Sequence, residues 1–446
     1  MKTGGFGKRT GWMAMGVIAG GLLAGPLQAL EVVKIEPLGY PDWLGAEAEF
    51  QVAIRGISGD GSVLAAHSLW DGRSVYSWNN GVWSNLADVP EPYSDIFLYG
   101  MSSDASVFLG VFSNPPDHYE ACKIEDGVVT GLGDLSGGKI ASYPSAASDD
   151  GSVIVGWGIN SISEEAFRWE DGVMAGLGSG SFNASWALDV SGDGSLILGE
   201  LFDETSGYWY GAIYDYSATE PGWIVLGVPE GETHENAFFS ASAISNDGST
   251  VIGSVSIGPV ARQYPYPAVC FLSDGQPVET VALPLYPGAT LSEVVDISAD
   301  GSLIVGYSFF SNEDDRAVTF WEREGGQYNP TLALKLSDIT NTDGLWEISF
   351  ENSLLSADGS TLVVRVRVSE DIGGSGPVAS NFLLTLAANK WGPYTVRSDG
   401  YCDTTPWMGW LWVDTGPWVW CVDMNHWIYC PVENVGESGG WVYVPK

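Results

Sequence analysis

Short aliphatic runs, each entered through a Ser-x-Asp turn that continues with glycine in six of seven cases and Ala105 in the other, set the rhythm of this chain. ISGDGSVLAA (57–66), MSSDASVFLG (101–110), ASDDGSVIVG (147–156), VSGDGSLILG (190–199), ISNDGSTVIG (244–253), ISADGSLIVG (297–306) and LSADGSTLVV (355–364) are seven copies of one pattern. Their aspartates, Asp60, Asp104, Asp150, Asp193, Asp247, Asp300 and Asp358, lie 43 to 58 residues apart. Asp-Gly between two aliphatic runs is a strong hairpin signal, because glycine adopts positive φ at almost no steric cost. Each copy therefore predicts strand, tight turn, strand. The strand after the turn is apolar at consecutive positions, as at Val153, Ile154 and Val155, which predicts burial on both faces. Gly110, Gly156, Gly199, Gly253 and Gly306 close these strands and predict a close backbone approach there.

A second hairpin lies between successive copies, clearest at Ala166 to Val173 and running on to Gly176-Leu177-Gly178. Two hairpins per repeat make four antiparallel strands, the content of one propeller blade. The ends of the repeat region complement each other. Val32 to Gly39 matches the second strand of this outer hairpin and lacks its partner, whereas Ala379 to Leu383 matches the first strand and also lacks its partner. Pairing them completes seven blades and removes the exposed edges of an open array. The expected fold is all-β: a seven-bladed β-propeller over residues 30–388, closed by its N-terminal strand, with a small β meander following at 389–446. A stacked β-solenoid is the rival, but it would not need split end repeats.

At EAFRWEDGVMAGLG (165–178) followed by ALDVSGDGSLILG (187–199), the chain resembles the HAF-repeat family of bacterial exported proteins, whose repeats run HAFRW…G…LG…GG…A…IS.DG..VVG. The naming histidine is Glu165 here, and Glu120 in the preceding copy, while Gly133-Asp134-Leu135-Ser136-Gly137-Gly138 keeps the family's LG-x-L-x-GG segment. The resemblance covers about residues 30–388 and implies an extracellular repeat protein. It brings no catalytic residues. The Ser-x-Asp-Gly turn is also similar to the Asp-box hairpin of sialidase-type propellers, where that turn is structural and lies away from the active site.

Charge and the first residues bear on location. Lys2, Lys8 and Arg9 precede an apolar run from Gly11 to Ala24, and Pro26-Leu27-Gln28-Ala29 follows, the pattern of a secretory signal cleaved near Ala29. Residues 1–29 are thus expected to be a leader, and the mature protein to be secreted or held at the cell surface or in the periplasm. No later stretch is apolar for long enough to form a membrane-spanning helix. The chain has 18 basic and 56 acidic residues, a net charge of −38; a polyphosphate backbone would be repelled, so nucleic acid is not an expected partner.

From Trp391 to the end there are eight tryptophans in 56 residues, against 12 in the preceding 390. Trp410 with Trp412 and Trp418 with Trp420 are spaced by two, which puts each pair on one face of a strand, and Trp427 opens the next aromatic run. These five residues are the candidate contacts for a polysaccharide or cell-envelope component, since indole offers a flat apolar face and one N–H donor; a tryptophan core for a small unit poor in aliphatic residues explains the same pattern. Cys402, Cys421 and Cys430 cluster here, and two of them are expected to form a disulfide, with three connectivities open. Cys122 and Cys270 read as buried strand cysteines.

Catalytic and metal motifs are absent. Four histidines stand apart, without HExxH or another ligand spacing. Gly436-Glu437-Ser438-Gly439-Gly440 satisfies G-x-S-x-G but sits in a glycine-rich loop, not at a strand-to-helix elbow. No cofactor is implied, although the Asp-Gly turns hold oxygens of the kind calcium takes. The expectation is an exported binding or surface-interaction protein without catalysis. Its alternative is a carbohydrate-active enzyme, a glycosidase or lyase, with carboxylates at the propeller channel.

Overall fold

The computed structural model describes residues 30–38, 52–68, 74–114, 118–234, 236–257, 265–310, 316–335, 346–368 and 379–387, with short strands between 390 and 440. The leader, residues 1–29, lies outside them. Seven four-stranded antiparallel sheets follow one another along the chain. Blade 1 is Val52–Ile57, Val63–Ser68, Val75–Asn79 and Val82–Ala87; blade 2 is Asp95–Met101, Val107–Asn114, His118–Glu125 and Val128–Gly133. Blade 3 is Ser142–Ala147, Val153–Ile159, Glu164–Glu170 and Val173–Gly176; blade 4 is Ala184–Val190, Leu196–Asp203, Tyr208–Asp215 and Trp223–Val225. Blade 5 is Ala237–Ile244, Thr250–Ile257, Tyr266–Ser273 and Gln276–Ala282; blade 6 is Leu291–Ile297, Leu303–Phe309, Arg316–Glu324 and Gln327–Lys335. Blade 7 takes Trp346–Leu355, Thr361–Val368 and Ala379–Ala387 from the end of the repeat region, and its outermost strand is Glu31–Pro37. The first strand of each blade packs against the first strands of its neighbours, and blade 7 meets blade 1, so the sheets form a ring.

The two orphan strands do pair. Glu31 stands opposite Ala387, Val32 opposite Leu386 and Pro37 opposite Phe382. Leu30 then joins a core shared by blades 6 and 7 with Tyr307, Phe320, Leu362 and Leu384. Leu38 joins the next seam, with Ile54 and Leu64 of blade 1 and Val363 and Leu383 of blade 7. Every blade thus buries both faces against its neighbours, as the unbroken aliphatic runs require.

The Ser-x-Asp-Gly turns form a second ring inside the first. Gly59 N–H donates to Ser103 O, Asp104 to Asp149 O, Asp149 to Gly192 O, Gly192 to Asn246 O, Asp247 to Ala299 O, Ala299 to Ala357 O and Asp358 back to Gly59 O, all at 2.7–3.0 Å. Small residues dominate the x position because the turns crowd one another: a Cβ on Gly59 would lie 2.3 Å from Ser103 Oγ. These turns differ from the two-residue hairpin that Asp-Gly suggests. Ser58 N–H bonds Val63 O across a four-residue loop, and Asp60 Oδ1 accepts from the Ser58 hydroxyl at 2.7 Å, the Ser62 amide at 2.9 Å and the Ser62 hydroxyl at 2.7 Å. Those bonds, led by the Ser62 amide, hold the Asp60 carboxyl below its ordinary value. Two-residue turns with both φ positive occur in the outer hairpins instead, as at Asp171 (φ 50°) and Gly172 (φ 81°).

Each innermost strand carries an irregularity three or four residues before its turn, for example between Pro144 and Ala146 and between Ala241 and Ala243. The strand-closing glycines face this bulge. Gly156 pairs with Pro144, and a Cβ on it would lie 2.1 Å from Tyr143 O. The predicted close approach is therefore between two backbones of one blade.

Glu120 and Glu165 have a local task. Glu120 Oε1 accepts from Gly133 N–H at 3.2 Å and Glu165 Oε1 from Gly178 N–H at 2.8 Å, fixing the loops that lead into the next blades. Ser142 and Ser185, each on the following innermost strand, close the joints by donating to Gly133 O and Gly178 O at 2.8 Å.

C-terminal to the propeller in sequence, Tyr401–Asp403, Trp410–Val413, Trp418–Cys421 and His426–Tyr429 form a four-stranded antiparallel sheet.

Candidate functional site

The face opposite the Asp-containing turns is built from strand starts, strand ends and the loops between them. On blades 2, 3 and 4 it gathers aromatic side chains into one row. Tyr143, near the start of its innermost strand, is cross-strand partner to Trp157, and their ring centroids are 4.5 Å apart at 22°. Tyr119 of blade 2 extends the row at 6.0 Å from Tyr143. Trp157 meets Trp186 of blade 4 at 5.1 Å and 22°. Trp186 meets Trp209 at 4.5 Å, and Trp209 meets Phe202 at 5.1 Å. All six rings are half-buried.

The spacings fix how much of each ring is offered. Stacked planes in contact lie about 3.5 Å apart, so the centroid separations from Tyr119 to Trp186 imply lateral slips of about 3 to 5 Å. From Tyr119 to Trp186 the row is therefore a staircase, in which each ring covers only part of its neighbour's face. Trp186 is fixed by its indole N–H, which donates to Glu164 Oε2 at 2.8 Å.

Glu164 also belongs to the wall of an open pocket of about 620 Å³, lined by Gly137, Gly138 and Lys139 from the loop between blades 2 and 3 and by Asn160 to Ser163 from the loop within blade 3. Gly138 shapes that wall: a Cβ there would lie 2.0 Å from Ile159 O. Asn160 Oδ1 accepts from the Ile162 and Ser163 amides at 2.7 and 2.8 Å, which turns the second loop and leaves Ile162 91% exposed at its tip.

A smaller cavity of about 250 Å³ lies on the axis above the turn ring, lined in part by Arg55, Tyr99, Ser145, Asn246 and the carboxylates Asp149, Asp189 and Asp296. Both oxygens of Asp189 are engaged, by Val190 N–H at 2.8 Å and, across the blade boundary, by Ile244 N–H at 2.9 Å. Asp296 does the same with Ile297 and Leu355, both at 2.9 Å. These carboxylates are latches from blade 4 to blade 5 and from blade 6 to blade 7. Burial pushes them up to about 6 and about 7, partly offset by the amide bonds.

A pH dependence follows. An acid raised in the folded state stabilises the fold below its ordinary pKa and loses that contribution as pH climbs through the raised value. Stability should fall as pH rises from about 4 to about 7, by on the order of 3 kcal/mol for each group, and the melting temperature with it. Asp296→Asn should flatten that fall; an unchanged slope would remove Asp296 from the account.

The residues expected from sequence divide. Trp169 and Trp321, at a repeated position, are buried, as are Cys122 and Cys270, both free thiols. Trp410, Trp412, Trp418, Trp420 and Trp427 lie in paired strands, and the register aligns Trp412, Trp420 and Trp427 in one row across the sheet. Their side chains, like those of Cys402, Cys421 and Cys430, lie outside the described residues. Among the described residues, no group of three or more His, Cys, Asp or Glu side chains is arranged to hold a metal ion.

Fold and site define a seven-bladed β-propeller with an aromatic face. No protein-family profile and no curated protein matches the chain. Solved structures do. The chain is similar to an oligogalacturonate lyase from Vibrio parahaemolyticus, at 12% identity and TM-score 0.50, over 80% of this chain and 96% of that one. A post-proline cleaving enzyme from Rickettsia typhi matches at 10% identity and TM-score 0.50, over 79% of this chain and 54% of that one. At these identities the likeness is one of fold.

Proposed function

We propose that this chain is an exported, non-catalytic polysaccharide-binding propeller of the HAF-repeat type, which holds glycan or cell-envelope polymer on the aromatic face of blades 2 to 4, opposite the Asp-containing turns. The observation that supports this is the row from Tyr119 to Phe202, half-exposed and adjoining an open pocket. A sugar ring presents an apolar face that packs on such steps, and polar groups at the rim orient it. Each ring contributes about 0.5 to 1.5 kcal/mol beyond area burial, so three or four together give retention in the millimolar to micromolar range. The aromatic strands of residues 401–429 serve as a second contact.

The test is retention of the mature protein on insoluble polysaccharides, scored together with release of soluble product. Retention without product is expected. Trp157→Ala and Trp186→Ala should each weaken retention about tenfold, and Trp412→Ala less. Steady release of oligosaccharide would replace this reading with the enzyme, and retention unaffected by either propeller substitution would remove the staircase from it.

A further inference from the structure

The charge around the staircase selects among glycans. The chain carries −38 overall, and a negative surface of that size disfavours uronate or sulfated polymers at any face. Locally the bias is sharper. Segments 137–139, 157–165, 184–187 and 199–210, which supply the pocket and most of the rings, contain one cation, Lys139, against Glu164, Glu165, Glu200, Asp203 and Glu204. Two of these acids sit at Trp186 itself: Glu164 accepts from its indole N–H, and Glu200 is its cross-strand partner. The fold already places cations over rings where it has them: Arg168 lies 4.0 Å from the Tyr216 centroid and Arg323 4.7 Å from that of Phe271.

Building on the polysaccharide reading, we propose that the ligand of this face is a glycan bearing protonated amines, a polymer of N-deacetylated hexosamine. Partly uncovered ring faces attract ammonium groups, and the carboxylates beside them add attraction that a neutral sugar does not receive. The steps between rings, 4.5 to 6.0 Å, are of the order of one hexose, so an extended chain laid along the row brings one of its sugars to Trp186 and the two acids beside it.

The experiment titrates the full mature chain with a glucosamine hexamer, its N-acetylated counterpart and a galacturonate oligomer, below the amine pKa, at low and high salt, with polylysine as a charge-only control. The glucosamine hexamer should bind at least tenfold tighter than the N-acetylated one, the gap should shrink as salt rises, and the galacturonate should not bind. Glu164→Gln with Glu204→Gln should narrow the gap between the two hexosamine oligomers. Equal affinity for the two hexosamine oligomers would overturn the amine selection and keep the polysaccharide reading. No binding of any oligomer would overturn both. Polylysine bound as tightly, and equally by Trp157→Ala, would show that charge alone acts, and would also overturn the proposal.

Discussion

Deleting residues 30–39 should open the propeller, giving aggregation or a melting temperature lowered by tens of degrees. The segment supplies the whole outermost strand of blade 7, paired from Glu31 to Pro37 with the last strand of the repeat region. It also inserts Leu30 and Leu38, 7% and 5% exposed, into the cores on either side of that blade. Each leucine is worth about 1.5 to 3 kcal/mol when buried, and Val32 and Ile35 add partial burial. Loss of the strand also bares a long apolar edge at 379–387, a template for association. Together these costs reach the scale of a domain's whole stability, about 5 to 15 kcal/mol. Light scattering and thermal unfolding of the truncated chain read the outcome, and an unchanged melting temperature would mean that the ring does not depend on this strand.

A single methyl group should be nearly as damaging at the right place. Gly253→Ala puts a Cβ 2.1 Å from Ser240 O and 2.8 Å from the Phe239 ring. The carbonyl belongs to the innermost strand of blade 5, which is paired along its length with the strand that carries Gly253, so neither backbone can yield without breaking ladder bonds. We expect at least about 3 kcal/mol of destabilisation. Gly172→Ala is the control: its φ is +81° but nothing lies within 4 Å of the added carbon, so only the left-handed backbone costs, about 1 to 2 kcal/mol. Chemical denaturation of the two variants separates them. If Gly172→Ala proved the more damaging, backbone conformation and not the bulge contact would govern these positions.

The propeller was legible because its evidence repeats. Seven Asp-containing turns and two unpaired end strands define blade number and closure from spacing alone. The bulge was half-legible: the strand-closing glycines announced a close approach, but its partner, a carbonyl of the same blade, emerges only from register. Asp189 and Asp296 had a signal that went unused. Equivalent positions in the other copies hold Gly56, Gly100, Ala146, Ala243 and Leu354, so a carboxylate at that place stands out as specific to its blade. The staircase had none. Tyr119, Tyr143, Trp157, Trp186 and Trp209 occupy different strands of three blades, and their adjacency is created by the packing of one blade on the next. Tryptophans are dense in sequence in the tail, whereas the rings of blades 2 to 4 are brought together only by the fold.

In the proposed function, the rings of blades 2 to 4 are where glycan is held. The most direct measurement is the indole N–H spectrum of the full mature chain, each signal assigned by a Trp→Phe substitution, during titration with glucosamine hexamer. Trp157, Trp186 and Trp209 should shift progressively, while the buried Trp169 and Trp321 stay in place. Saturable binding that leaves the signals of Trp157, Trp186 and Trp209 unmoved would contradict the claim.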